Sequence, residues 1–253
     1  MAAPELAEPE AIDFSRAGVV VRDDIFAAHR AAWQSLASPG VWWTSEERIA
    51  IAAEARTASS CALCREAKQA LSPFSFSGRH DSERDLPAAA VEAVHRIVTD
   101  PSRLTRSWVE QLAADGLSDG HYVELVGVVV TLLSIDRLCQ GVGAELHPLP
   151  GPVAGEPSRI RPDGLEDVGA FTPMLSTRAG KKLGLWNLPV APNVIRALSL
   201  VPPEVEMLHT VAGAHYLPVE QVSQIGRAPG RALDRAQIEL VAARVSSLNE
   251  CFY

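Results

Sequence analysis

Apolar residues at helical spacing, set in alanine-rich stretches, constrain the fold of this chain more than any other feature. They recur from residue 24 to residue 248, while convincing alternation with period two is almost absent. The pattern therefore predicts an all-α protein. The expected helices cover 24–37, 45–58, 60–71, 87–98, 103–114, 118–142, 203–212, 217–225 and 234–248, with a short proline-flanked helix within 189–203.

A change in composition predicts how the chain is organised. Prolines and glycines interrupt every periodic run from His147 to Thr172, which is typical of a linker. We therefore expect a disordered tail over 1–23, a first helical unit over 24–146, a linker over 147–188 and a second unit over 189–253. Residues 56–63 resemble residues 246–252: each follows an alanine-rich helix and leads through small polar residues to a cysteine, so the units are interpreted as tandem repeats.

Charge and cysteine content narrow the class of protein. The chain has 31 acidic and 23 basic residues, and a net charge of -8 argues against binding to nucleic acid or to an anionic membrane. Four cysteines are too few for a disulfide framework, and the N-terminal residues lack the pattern of a signal peptide. The apolar run 123–135 has 13 residues, short of the roughly 20 that a membrane helix needs. We expect a cytoplasmic protein in which this run is a buried core helix.

Cys61 and Cys64 form a CxxC motif, the clearest chemical signal in the chain. If a helix begins at Ser59 or Ser60, both sulfurs lie in its first turns, where free backbone N–H groups stabilise a thiolate, and Arg65 is adjacent. Such a pair can attack a peroxide or a disulfide and then close its own disulfide. Peroxide should form a Cys61–Cys64 disulfide, and Cys64→Ser should trap a sulfenic acid or a mixed disulfide at Cys61.

Two other interpretations of the cysteines remain open. Cysteine is among the most buried residue types, so one alternative is that the pair serves only core packing, and packing is the favoured interpretation of Cys139. A zinc site is less favoured, because His80 and His95 lack the usual spacing to a second ligand. No cofactor or metal is therefore expected.

A second candidate centre lies near the end of the sequence. Glu239 precedes Cys251 by twelve residues and stands among apolar neighbours on a predicted helix. Its carboxylate is either a solvated helix residue or a partly buried acid that moves protons to and from a thiol.

With these residues the chain resembles the AhpD-like alkylhydroperoxidase and carboxymuconolactone decarboxylase superfamily. The family motif is Glu, eleven residues, Cys-x-x-Cys, three residues and His; residues 233–253 look like its first part, from Glu239 to Cys251. In the first unit, Cys61 and Cys64 match the dithiol, but Ile49 and Lys68 occupy the positions of the family's Glu and His. The chain also resembles tandem relatives with selenocysteine in the second motif. We therefore expect that the coding sequence after Tyr253 continues through a UGA codon, which reading the DNA there would test.

The resemblance implies two tandem AhpD-like units, the second incomplete, and a peroxidase-type activity. The function implied is hydroperoxide reduction by a thiol or selenol, with Cys61, Cys64 and Cys251 as redox residues and Glu239 as the relay acid. It also implies a hydroperoxide substrate, a thiol or dithiol electron donor, and a homo-oligomer as one form of assembly. The alternatives are a carboxymuconolactone decarboxylase-like enzyme without redox chemistry and a non-catalytic helical interaction module.

Overall fold

The helices lie close to their predicted positions. The computed structural model describes residues 12–82, 84–222, 224, 226, 230–248 and 251. Its all-α character is confirmed. The helices are α1 (Asp23–Ala37), α2 (Ser45–Ala58), α3 (Ala62–Gln69), α4 (Ala88–Thr99), α5 (Arg106–Ala114), α6 (Asp119–Val142), α7 (Thr177–Lys182), α8 (Asn193–Arg196), α9 (Pro202–His215), α10 (Val219–Val222) and α11 (Arg235–Leu248).

The start of α2 is fixed by a reciprocal capping box. The Thr44 hydroxyl accepts a hydrogen bond from the Glu47 backbone N–H at 3.2 Å, and the Glu47 carboxylate accepts one from the Thr44 backbone N–H at 2.8 Å. Two N–H groups that would otherwise lack partners are satisfied in this way. The box fixes the residue at which α2 begins. On this helix Arg48 and Glu54 are buried, and Arg56 forms an ion pair with Asp136.

Replacing Thr44 with alanine should lower the free energy of unfolding by about 1 kcal/mol, because one side of the capping box is lost. Thr44→Ser keeps the hydroxyl and is the matched control. Urea unfolding followed by circular dichroism measures the difference. Equal midpoints for the alanine and serine variants would show that the cap contributes nothing.

Helix α6 runs through the centre of the core. It begins after the N-cap residue Ser118 and ends before Gly143, whose backbone is in the left-handed conformation. Leu125, Val129 and Ile135 on this helix are completely buried. It packs against α2, α4 and α9. Within the described part of the chain, α6 is the one helix long and apolar enough to cross a membrane, but a core helix of a protein that does not cross one meets the same criteria. Its central position accounts for its composition.

The stretch predicted to be a linker is packed against the helices. The Val153 N–H donates to the Ala37 carbonyl and the Arg159 N–H to the Val41 carbonyl, both at 2.8 Å. A short antiparallel pair follows, β1 (Leu165–Glu166) with β2 (Met174–Leu175), and then α7. Proline and glycine content thus predicted the irregular backbone of this stretch but not its attachment to the core.

The predicted disordered tail over 1–23 differs from the structure where the structure describes it. Phe14 is buried, with its ring 4.9 Å from that of Phe26, and the Gly18 N–H donates to the Val142 carbonyl at 2.8 Å. These contacts attach 12–22 to the ends of α1 and α6. Residues 1–11 lie outside the described part of the chain.

The predicted second unit contributes to the same core through α9, which packs against α1 and α6. Helix α11 has no buried residue, and Leu240, Val241 and Leu248 on it are exposed. The tandem relation of the two units stays a prediction.

A buried ionic cluster joins α2, α6 and α9. Arg48 Nη1 lies 2.5 Å from Glu124 Oε1 and 2.9 Å from Glu204 Oε1. Glu124 also accepts hydrogen bonds from the backbone N–H groups of Val41 and Trp42, at 3.0 and 2.6 Å. Burial raises the pKa of Glu204 despite the neighbouring Arg48. Arg48 therefore pairs with two buried carboxylates from different helices, and Glu204 is more easily protonated than an exposed glutamate.

Candidate functional site

The CxxC motif lies at the start of α3. Cys61 is the N-cap residue and Cys64 lies in the first turn, so the helix begins after Cys61 and not at Ser59 or Ser60. Both thiols are free, and their residues are only 1% and 5% exposed. The Asp81 carboxylate accepts a hydrogen bond from the Ala62 N–H at 2.9 Å, which ties the loop after α3 to the start of this helix.

Two histidines converge on the sulfurs. His80, in the loop before α4, places Nδ1 3.6 Å from Cys61 Sγ and 3.4 Å from Cys64 Sγ. His95, buried on α4, places Nδ1 3.2 Å from Cys64 Sγ. The two rings stack with centroids 4.1 Å apart. Cys64 therefore contacts both imidazoles.

A carboxylate holds the far nitrogen of each histidine. His95 Nε2 lies 2.7 Å from Glu54 Oε1 on α2, and His80 Nε2 lies 2.6 Å from Glu92 Oε2 on α4. Because a carboxylate accepts the Nε2 proton, Nδ1 of His95 is left to accept a proton from the Cys64 thiol. Cys64, His95 and Glu54 are thus arranged as nucleophile, base and orienting acid.

The two histidines differ in charge. Burial lowers the pKa of His80, but hydrogen bonds with Cys64, Glu92 and Cys61 outweigh it and raise that pKa to about 10. For His95 burial is the largest effect; together with the positive charge of His80 it exceeds the opposing effect of Glu54, so the pKa lies below its ordinary value. One imidazole is a proton donor and its neighbour a proton acceptor, a separation typical of acid–base sites.

The hydrogen bonds around Cys61 favour the thiolate form of its side chain. Burial raises the pKa of its thiol, but hydrogen bonds with the backbone of Asp81 and Cys64 and with the His80 side chain bring the pKa below its ordinary value. A lowered thiol pKa beside a histidine whose pKa is raised to about 10 favours an ion pair between the Cys61 thiolate and protonated His80.

A cavity of about 520 Å³ opens beside the dithiol. Cys64 and His80 form part of its wall, and about half of the other lining residues are apolar or aromatic: Leu63, Ala67, Pro73, Phe74, Phe76, Trp108 and Leu112. Glu92, Arg96, Asp100 and Asp115 add charged groups. The volume is sufficient for a small organic molecule with an apolar body.

The structure brings only two of the four predicted site residues together. Cys61 and Cys64 are adjacent, whereas Cys251 is exposed near the end of the described chain. Glu239 contacts the Tyr216 hydroxyl at 2.6 Å and Arg235 at 2.5 Å, and its pKa is lowered chiefly by the Tyr216 hydrogen bond. Residues 249, 250, 252 and 253, which belong to the second motif, are outside the described residues.

Sequence reasoning missed the groups that surround the dithiol. His95 follows Cys64 by 31 residues and Glu54 precedes His95 by 41, so no local motif joins them. The spacing of His80 and His95 in the sequence made a zinc site the less favoured interpretation, yet the four donor atoms of these histidines and the two cysteines lie within 4.8 Å of one another. The resemblance placed the relay at the positions of Ile49 and Lys68, whereas in the structure Glu54 and His95 bring a carboxylate and an imidazole to Cys64.

Comparisons with known proteins give no identification: no family model, no curated protein sequence and no solved structure matches the chain.

Proposed function

We propose that this protein is a thiol-dependent hydroperoxide reductase that uses Cys64 and Cys61 as its redox pair. One observation carries the proposal: two buried cysteines meet a protonated and a neutral histidine, each held by a carboxylate, at the wall of a cavity lined by both apolar and polar side chains. The sequence alone made Cys61 the attacking thiol. We assign the attack to Cys64, because Cys64 is among the described residues that line the cavity and Cys61 is not.

The first step oxidises Cys64. His95 Nδ1 takes the thiol proton, and the thiolate attacks the terminal oxygen of the hydroperoxide. The S–O bond forms as the O–O bond breaks, and His80 gives its proton to the departing alkoxide. The products are an alcohol and a sulfenic acid on Cys64.

The second step closes a disulfide. The Cys61 thiolate attacks the Cys64 sulfur, the S–O bond breaks, and the leaving hydroxide takes from His95 the proton that Cys64 gave up. Water leaves and both histidines become neutral. Two histidines therefore serve two cysteines: each holds one thiol proton and delivers it to one oxygen of the peroxide. A dithiol donor then reduces the disulfide and restores both protons.

The test is turnover of an organic hydroperoxide by the reduced chain of residues 1–253 with dithiothreitol as the electron donor. We expect sustained consumption of cumene hydroperoxide, with one disulfide of the donor formed per peroxide. Consumption no faster than in protein-free buffer would refute the proposal.

Replacing Glu54 with glutamine should slow turnover at pH 7 about 10- to 100-fold, because His95 loses the carboxylate that fixes its tautomer and stabilises its protonated form. Glu239→Gln is the matched comparison, since Glu239 is the relay acid that the family resemblance implies. Steady-state rates of both variants decide between the two acids. A larger loss in Glu239→Gln than in Glu54→Gln would contradict the relay proposed here.

A second candidate function is a zinc site at the same residues. Sγ of Cys61 and Cys64 and Nδ1 of His80 and His95 lie within 4.8 Å of one another, and metal-bound histidines commonly donate their other N–H to a carboxylate, as these can. The zinc content of protein purified without a histidine tag separates the candidates. One tightly held zinc per chain that protects both thiols from peroxide would favour zinc over the reductase.

A further inference from the structure

A second group of metal-binding side chains lies in the core, apart from the residues of the dithiol site. His29 on α1, Cys139 on α6 and His147 just after α6 are essentially buried, at 0%, 0% and 2% exposure. His29 Nδ1 lies 3.0 Å from His147 Nε2, and His147 Nε2 lies 3.5 Å from Cys139 Sγ. All three donor atoms fall within 4.8 Å of one another.

Hydrogen bonding alone accounts poorly for this convergence. One ring nitrogen has a single proton or a single lone pair to offer, yet Nε2 of His147 faces both a nitrogen and a sulfur. Three ligand atoms directed at a common point are what a metal ion requires. We propose that His29, Cys139 and His147 bind a zinc ion, independently of the proposed reductase activity.

Two of the three separations between ligand atoms fit zinc, and the third, between His29 and Cys139, is within 4.8 Å. A tetrahedral zinc ion at about 2.0–2.1 Å from nitrogen and about 2.3 Å from sulfur separates its ligands by about 3.3 Å for two nitrogens and about 3.6 Å for nitrogen and sulfur. The two measured separations, 3.0 and 3.5 Å, lie close to these values. Two imidazoles and one thiolate are ligands that zinc prefers, and three protein ligands leave a fourth position for a small molecule such as water.

The surrounding residues hold the ligands in place. His29 Nε2 lies 2.8 Å from His215 Nε2, so His215 can accept the Nε2 proton while Nδ1 binds the metal. The His147 carbonyl accepts a hydrogen bond from Arg56 at 2.9 Å, and Arg56 forms a two-point ion pair with Asp136, one turn before Cys139. This support comes from helices and not from mobile loops.

The environment suits a buried cation. The Phe14 ring closes over the site, 5.0 Å from the His147 ring and 5.4 Å from the His29 ring. A thiolate at Cys139 would leave the zinc complex with one positive charge.

The test is zinc binding by a tag-free chain in which Cys61, Cys64 and Cys251 are replaced by serine, so that Cys139 is its one cysteine. We expect one equivalent of zinc, and X-ray absorption at the zinc edge should show one sulfur and two imidazole ligands. Cys139→Ser in this background should remove the sulfur signal. Zinc that is not bound, or that is bound without sulfur, would overturn the proposal.

The wild-type chain supplies a second readout if the triple variant does not fold. Cys139→Ser in the wild-type chain should lower the number of zinc equivalents by one, with the remaining zinc, if any, held at the dithiol site. An unchanged zinc count would overturn the proposal. Thr131→Ser, on the same helix, is the control for a mild change in α6, and its zinc count should equal that of the wild type.

Discussion

Replacing Cys64 with serine should reduce hydroperoxide turnover about 10³-fold or more, because a serine hydroxyl at this position cannot become the attacking anion that a thiol provides. The substitution is nearly isosteric, so helix α3 and the contacts of His80 and His95 should persist. The measurement is the initial rate with cumene hydroperoxide and dithiothreitol. Retention of more than a tenth of the wild-type rate would remove Cys64 from the reaction.

Two further substitutions show what each sulfur does. Cys61→Ser should still react with one equivalent of peroxide, but the sulfenic acid should accumulate on Cys64 because the resolving thiolate is absent. A dimedone adduct on Cys64, identified by mass spectrometry, would report it. Cys251→Ser should retain most of the turnover, whereas the second redox pair implied by the resemblance requires Cys251.

Replacing Arg48 with methionine should destabilise the fold by about 3–5 kcal/mol, because Glu124 and Glu204 would lose the cation that they share in the core. The methionine fills a similar volume, so the loss reflects charge more than packing. Chemical unfolding measures the change. A midpoint equal to that of the wild type would show that the cluster is not a source of stability.

Glu204→Gln is the matched control for that cluster and should unfold at about the wild-type midpoint at low pH. Burial raises the pKa of Glu204, so its protonated form contributes stability below the ordinary carboxyl pKa, and this contribution is lost as the pH rises through the raised value. The glutamine variant has no such proton to lose. Its stability relative to the wild type should therefore increase with pH, and a constant difference from pH 4 to pH 9 would contradict this assignment.

The helices could be predicted because their signals are local. The limits of α2 follow from the Thr44 cap and the apolar period of the segment, and those of α6 from Ser118 and Gly143. The local pattern could not show which of the irregular segments pack against the helices. Phe14 packs under α1, and Val153 binds the end of that helix, although both lie in segments whose composition predicts irregular chain.

The candidate site could be predicted only in part for the same reason. Cys61 and Cys64 are close in sequence, so one helix turn brings them together. Their partners come from α2, from the loop before α4 and from α4 itself, and only tertiary packing puts Glu54 beside His95. The family pattern placed the relay groups at the positions of Ile49 and Lys68, because a motif is defined by spacing along the sequence. The reaction depends instead on which side chains lie close together in space.

The most direct test of the account is the fate of the two sulfurs when the reduced chain meets one equivalent of cumene hydroperoxide. Peptide mapping without reduction should recover a Cys61–Cys64 disulfide, with the peroxide converted to its alcohol in equal amount. If Cys61 and Cys64 remain free thiols while the peroxide persists, or if oxidation is confined to the exposed Cys251, the central claim is contradicted.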